Sequence, residues 1–177
     1  SAASDVYKRQ LHYMSTKGDW LRKLLTYEPR GNEVMSGTLI MEPCNPEADF
    51  GVLYFEVGGW MPMCGHDTIG VGTALVEAGM VEVQEPHTYV TLDTAAGLVK
   101  LQIEVRNCSA VSVTFVNAPA FVMVQDAEIR TGKYGTLRAD IAYGGNIYAI
   151  LPSASVGLHI NPQSSMLLIE AGNYLKQ

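Results

Sequence analysis

The sequence has no excess of positive charge and no long apolar run. Its 177 residues include 12 Lys and Arg against 18 Asp and Glu, a formal net charge of -6. Such a chain offers no basic stripe to meet phosphates, so we expect no nucleic-acid binding. It has neither a membrane-length apolar run nor the charged and apolar regions of a secretory signal. We therefore expect no membrane association and a cytoplasmic location.

Cysteine is also scarce, with Cys44, Cys64 and Cys108 at unrelated spacings. An odd count without a secretion signal predicts reduced thiols rather than a disulfide framework. No pair of cysteines has the spacing of a zinc half-site, and Cys64 with His66 is only a weak metal pattern. We therefore predict no metal site. Apolar residues make up 47% of the chain, enough to build a core.

The most informative segment is Met63-Cys64-Gly65-His66, continued by Asp67-Thr68-Ile69-Gly70. Upstream, residues 57–62 contain two glycines and a proline and cannot be helical. Downstream, residues 68–78 are mostly small and apolar, and Gly79 can end a helix. A cysteine at a helix start meets unpaired N–H groups and the positive end of the dipole, which predicts a lowered thiol pKa. The same N–H groups can hold a substrate carboxylate.

A lone cysteine beside a helix can also be a buried small hydrophobe, and this is the ordinary alternative. Its neighbours favour chemistry instead. Gly65 leaves room for a ligand against the backbone. His66 and Asp67 are polar in a first turn where packing alone would prefer apolar side chains. We predict Cys64 as a catalytic residue, with Gly65, His66 and Asp67 as substrate contacts.

Hydrophobic spacing predicts a mixed α/β (α+β) chain. The helix after Cys64 is apolar almost all round, so we expect it to be buried within a curved, mostly antiparallel or barrel-like sheet. Residues 137–151 are predicted as one strand broken at Gly144 and Gly145. Further helices are predicted over 19–25 and over 163–175 behind an Asn161 cap, and further strands over 34–41, 50–57, 88–94, 98–105, 111–116 and 121–124.

The pattern predicts three regions along the chain. Residues 1–10 show neither helical nor strand periodicity and lack a start methionine, so we interpret them as a non-native leader. Residues 11–124 form the predicted first domain. Charge returns and apolar alternation pauses over 125–133, so residues 125–177 are predicted as a linker and the beginning of a second domain.

Residues 63–70, Glu28-Pro29-Arg30-Gly31 and the 140–146 segment together resemble the proline racemase / 4-hydroxyproline epimerase family. The resemblance covers about residues 11–177. It implies a diaminopimelate epimerase-like fold and an isomerase that uses no metal, pyridoxal phosphate or other cofactor. In that family two pseudo-symmetric domains each place a cysteine at a helix start. One thiolate removes the α-hydrogen of a proline-type amino acid, and the other thiol returns a proton on the opposite face. Cys64 matches the first cysteine, and Gly65 and His66 match residues of the carboxylate site.

The sequence also departs from the family pattern. The family is about twice this length, since domains of this size come in pairs in it. Cys44 and Cys108 lack the glycines that follow the family's second cysteine. The family's opening strand is absent, Asn32 stands where a family histidine follows Arg-Gly, and Asp67 stands where many members carry glycine. We expect a truncated chain that supplies the first cysteine half-site only and is inactive alone.

Three other functions stay open. The first alternative is a catalytically inactive fragment, and the second is a binding or assembly module. The third is part of a 3-hydroxyproline dehydratase of the same family. A cysteine hydrolase would need a base and an orienting residue near Cys64, and no such pattern is evident. The expected ligand is proline or hydroxyproline. A homodimer is a further expectation, because residues 140–151 can fill the vacant sheet edge within one chain or between copies.

Overall fold

The structure is a computed structural model that describes residues 2–176, with side chains from residue 6. It divides into two compact units after Ala118. No helix within the described residues is both long and apolar enough to cross a membrane. The four α-helices described are α1 (Ala2–Thr16), α2 (Asp19–Thr26), α3 (Gly65–Glu77) and α4 (Ser165–Leu175).

A curled, mostly antiparallel sheet forms the first unit. Its strand order is β1-β2-β4-β5-β6, and β3 pairs with β2. The β2–β4 pairing is parallel, and the other described pairings in this sheet are antiparallel. The predicted α/β class is therefore confirmed. The strands are β1 (Ser36–Met41), β2 (Phe50–Glu56), β3 (Gly59–Met61), β4 (His87–Thr94), β5 (Gly97–Arg106) and β6 (Ser109–Val116).

Helix α3 packs one face onto this sheet. Val71, Leu75 and Val76 are buried in the core with residues of β2, β4 and β5. Gly72 makes the close approach possible, since a Cβ there would lie 3.0 Å from both Leu101 and Val113. The opposite face is open, and Ile69 is 44% exposed. The predicted burial of α3 is thus met on one face only, because the sheet covers one side of the helix.

The predicted end of α3 is confirmed by its backbone geometry. Gly79 has φ 65°, a left-handed conformation that favours glycine. Its N–H donates to Val76 O at 3.1 Å, and the N–H of Met80 donates to Leu75 O at 2.9 Å. This is a Schellman motif, which satisfies carbonyls that the last helical turn leaves unpaired.

The second unit is built from β7 (Phe121–Thr131), β8 (Gly135–Tyr143), β9 (Ile147–Ile150) and α4. The strands form an antiparallel sheet in sequence order. Asn161 Oδ1 accepts the Ser164 N–H at 2.8 Å, as the predicted cap requires. The prediction of one broken strand over 137–151 is wrong. Residues 144–146 instead make a hairpin turn, with Gly145 at φ 97°.

Strand β7 continues past the predicted domain boundary at 124/125. The register shifts between Val122 and Val124 and again between Val124 and Ala127. Such bulges interrupt the alternation of side chains, which is why the apolar pattern pauses there. Because β8 and β9 pair within this second sheet, the expectation that residues 140–151 fill the first sheet's edge within one chain is wrong.

Residues 2–10 belong to helix α1, which begins at Ala2. Tyr7 is fully buried, and its hydroxyl lies against Gly51 of β2. The segment thus forms a helix although its sequence has no helical periodicity. Burial of one aromatic ring anchors the helix, and a single anchor leaves no periodic pattern in the sequence. The origin of the segment as a leader, and the domain limits 1–10, 11–124 and 125–177, stay predictions.

Candidate active site

Cys64 lies immediately before α3, at the position predicted from the sequence. Its backbone is extended, with φ -139° and ψ 117°, and helical geometry begins at Gly65. The thiol is half-buried. As the N-cap residue, Cys64 adjoins the first-turn N–H groups that have no partner within the helix.

A buried pair of hydroxyl groups fixes the backbone of Cys64. Thr68 lies one helical turn further on, and its Oγ1 donates to Cys64 O at 2.7 Å. The hydroxyl of Tyr54, on β2, lies 2.8 Å from Thr68 Oγ1. Burial raises the pKa of Tyr54 to about 12, so its hydroxyl keeps the proton it donates. The start of α3 is thereby tied to the central sheet.

Asp67 forms a second tie between α3 and the sheet. Ser36, the first residue of β1, donates from Oγ to Asp67 Oδ1 at 2.7 Å. Asp67 is only 9% exposed. Its other oxygen, Oδ2, is buried and has no hydrogen-bond partner among the described residues. A buried carboxylate oxygen without a partner carries a desolvation cost, so it requires an explanation.

The pKa of the Cys64 thiol is raised rather than lowered. Burial is the main cause, and the Asp67 carboxylate raises it further; the backbone N–H groups of Asp67 and His66 act in the opposite direction. The predicted thiolate is therefore wrong for this chain. Desolvation and a neighbouring negative charge both penalise the anion, and together they exceed the effect of the helix start.

A cavity of about 450 Å³ opens beside Cys64. This volume is in the range of small-molecule sites. Cys64 and His66 line it, whereas Gly65 and Asp67 are not among its lining residues. The remaining walls come from residues 33–36, residues 56–58 and Met61.

Gly65 faces the sheet rather than the cavity. A Cβ at this position would lie 3.2 Å from the ring of Phe115 on β6. The sequence predicted room for a ligand here, and the structure shows that an aromatic ring occupies part of that room. The glycine therefore allows α3 to begin close to β6.

Arg22 of α2 holds the cavity wall at residues 56–58. Its Nη1 donates to Glu56 O at 3.2 Å and to Val57 O, while its Nε lies 2.6 Å from Asp19 Oδ1. The Trp60 indole N–H also donates to Asp19, at 3.2 Å. The Arg22 guanidinium holds the pKa of Asp19 well below its usual range. This buried guanidinium therefore connects α2 to the β2–β3 turn.

The other two cysteines lie elsewhere in the first unit. Cys44 is exposed in the loop before β2, where its N–H donates to Asp93 at 3.0 Å. Cys108 is exposed in the turn between β5 and β6, with φ 59°. Within residues 2–176, Cys64 is the cysteine at a helix start. The described residues contain no group of three or more His, Cys, Asp or Glu able to hold a metal ion.

Sequence reasoning missed Ser36, Tyr54 and Thr68. Thr68 could have been found, because a residue four positions after Cys64 lies on the same side of the helix. Ser36 and Tyr54 had no local signal. They reach α3 only through strand pairing, which brings β1 and β2 side by side.

The family model described as "Proline racemase" matches residues 3–177. The chain is 47% identical over 169 residues to the 4-hydroxyproline 2-epimerase of Streptosporangium roseum, covering 96% of this chain and 50% of that protein. It is 38% identical over 164 residues to the proline racemase of Clostridioides difficile, and this match covers 93% of this chain and 49% of that protein.

A solved structure has a similar fold. It is that of a hydroxyproline epimerase from Agrobacterium vitis with bound trans-4-OH-L-proline. The match has a TM-score of 0.85 at 39% identity and covers 96% of this chain and 49% of that one. The chain thus spans about half the length of the relatives it matches.

Proposed function

The chain belongs to the proline racemase family, and on that premise we propose that Cys64 is one of two acid–base groups in a cofactor-independent racemase or epimerase. The proposed substrate is proline or hydroxyproline. Two relatives are named for these activities, and the A. vitis structure holds trans-4-OH-L-proline. The observation that carries the proposal is a thiol at the N-cap of α3, on the wall of a cavity.

The start of α3 suits a substrate carboxylate. The backbone N–H groups of Gly65, His66 and Asp67 belong to the first helical turn, where no carbonyl of the helix can accept from them. Removing an α-hydrogen moves negative charge toward the carboxylate. A donor that meets such developing charge is worth about 3–4 kcal/mol in acyl-transfer enzymes. Cys64 and the proposed cradle thus lie within one helical turn.

We further propose that the second acid–base residue and half of the carboxylate cradle come from sequence outside this chain. Support comes from the coverage, since relatives are about twice as long. Neither Cys44 nor Cys108 lies at a helix start. A two-base inversion needs a group on each face of the substrate. The chain alone therefore supplies one half-site and does not invert proline at an appreciable rate.

The test measures activity and ligand binding separately. The chain and its Cys64→Ser variant are incubated with L-proline and with trans-4-hydroxy-L-proline, and the products are resolved by chiral chromatography. We expect no inversion by either protein. Inversion at a rate like that of a full-length relative would overturn the half-site proposal.

Binding is tested by protection of Cys64 from alkylation. Pyrrole-2-carboxylate mimics a planar proline intermediate, and pyrrole-2-carboxamide is a matched control without the carboxylate. We expect pyrrole-2-carboxylate to slow Cys64 alkylation while pyrrole-2-carboxamide does not. Equal effects of the two ligands would contradict a carboxylate cradle at α3.

A further inference from the structure

Asp67 has one satisfied and one unsatisfied carboxylate oxygen. Oδ1 accepts from Ser36 at 2.7 Å, and Oδ2 is buried without a partner among the described residues. Asp67 is the third residue of α3, and Cys64 is the N-cap residue of the same helix. In a capping box the acidic side chain at this third position reaches back toward the N-cap residue. The donors that Cys64 carries there are its backbone N–H and its thiol, and the Asp67 carboxylate acts on the thiol.

We propose that Asp67 is a positioning residue whose Oδ2 accepts the S–H hydrogen bond of Cys64 and holds this cysteine as a thiol in the resting site. The proposed bond joins the same two helix positions as a capping box, with the thiol rather than the backbone N–H of the N-cap residue as the donor. The backbone N–H of Asp67 acts on the sulfur in return. Ser36 keeps the carboxylate in place from the β1 side.

Other charged groups near Cys64 are less able to control its proton. His66 lies on the same helix and is exposed. Glu33 and Glu56 line the same cavity as Cys64 and are exposed as well. Solvent and salt screen such charges. Tyr54 is buried beneath the helix start and neutral, because burial raises its pKa. Asp67 is the buried carboxylate, and it also contributes to the raised pKa of the thiol.

The proposed hydrogen bond stands apart from the proposed function, and only its effect on the reaction rests on that function. A resting thiol gives its proton to the planar α-carbon: the S–H bond breaks, a C–H bond forms, and the sulfur keeps the electron pair. The thiolate so formed lies beside the Asp67 carboxylate and is unstable there. Cys64 therefore begins as the acid, and the partner group from outside this chain begins as the base.

The test follows iodoacetamide alkylation of the intact chain against pH, resolved by mass spectrometry for each cysteine. Exposed Cys44 and Cys108 serve as internal references. In the wild type we expect the Cys64 midpoint to lie above both references. Asp67→Asn should speed alkylation of Cys64 at pH 7.5 about tenfold, the effect of a shift of one pH unit. Asp67→Glu should restore slow alkylation, and the control Glu56→Gln should change it less than twofold.

Two results would overturn the proposal: a wild-type Cys64 midpoint below those of Cys44 and Cys108, or an Asp67→Asn rate within twofold of wild type. If circular dichroism shows that Asp67→Asn does not fold, the test uses the infrared S–H stretching band of Cys64. This band is isolated by subtracting the spectrum of Cys64→Ala from that of the wild type. A hydrogen-bonded thiol gives a lowered frequency, and a frequency equal to that of the exposed cysteines refutes the bond. None of these readouts uses substrate, so their failure is distinct from failure of the inversion and protection assays.

Discussion

The two units differ in how far they bury the apolar side chains of their sheets. In the first unit, residues of β2, β4 and β5 close with α3 into a core in which Leu75, Leu92 and Ile103 have no exposed surface. In the second unit Phe121 is 56% and Ile147 65% exposed. Both units have hydrogen-bonded sheets. The comparison shows that strand pairing alone does not make a core; a second layer must cover the sheet.

The largest expected effect tests this contrast directly. Leu75→Ala should lower the free energy of unfolding by about 2–5 kcal/mol, because it removes a buried side chain and leaves a cavity. Its matched control in the second unit is Ile147→Ala, expected to change the free energy by less than about 1 kcal/mol. Urea denaturation measures both. Equal losses would show that the second unit has a core comparable to the first.

An intermediate effect is expected at the buried guanidinium of the first unit. Asp19→Asn removes the carboxylate partner of Arg22, which is 5% exposed, and should cost about 1–3 kcal/mol. The second unit offers a control in Arg138, which pairs with Asp126 where both side chains are more than half exposed. Arg138→Ala should cost less than about 1 kcal/mol. A larger loss for Arg138→Ala than for Asp19→Asn would reverse the comparison.

The Asp19–Arg22 pair also predicts how stability depends on pH. The pKa of Asp19 is lower in the folded chain than in the unfolded chain. The Asp19 carboxylate therefore stabilises the folded state fully above its unfolded-state pKa, near pH 4, and this stabilisation is lost as the pH falls below that value. Thermal unfolding between pH 6 and pH 3 should show a steeper fall in Tm for wild type than for Asp19→Asn. Parallel curves would mean that the pair contributes nothing to folding.

The smallest stability effect is expected for Ile150→Lys in β9. Ile150 is 56% exposed, so the free energy of unfolding should change by less than about 0.5 kcal/mol. An exposed apolar edge strand favours pairing between copies of the chain, and a charge on it opposes that pairing, so any self-association of the wild type should be weaker in the variant. Sedimentation velocity of wild type and variant measures this. A loss of several kcal/mol would show that Ile150 is buried in solution.

Local pattern was sufficient for much of the fold. The helix start at Cys64, the glycine stop at Gly79 and the Asn161 cap all depend on residues within one or two turns, and all three are confirmed. The raised thiol pKa could not be predicted from the helix start, because it depends on tertiary burial and on where the Asp67 side chain points. Helix α1 was missed because Tyr7 is held by a distant strand. The strand predicted over 121–124 is shorter than β7, because the bulges in β7 interrupt the alternation of apolar and polar side chains on which the prediction depends.

Gly72 is a point at which α3 lies close to the side chains of Leu101 and Val113. A Cβ at this position would lie 3.0 Å from side-chain atoms of Leu101 and Val113, so these side chains or the helix would have to shift by a few tenths of an ångström. Cys64 lies eight residues away, about 12 Å along the axis at 1.5 Å per residue. A tilt about the sheet contact would therefore be transmitted to the thiol as a sideways displacement. The absence of a side chain at Gly72 thus lets α3, which begins next to Cys64, lie close against β5 and β6.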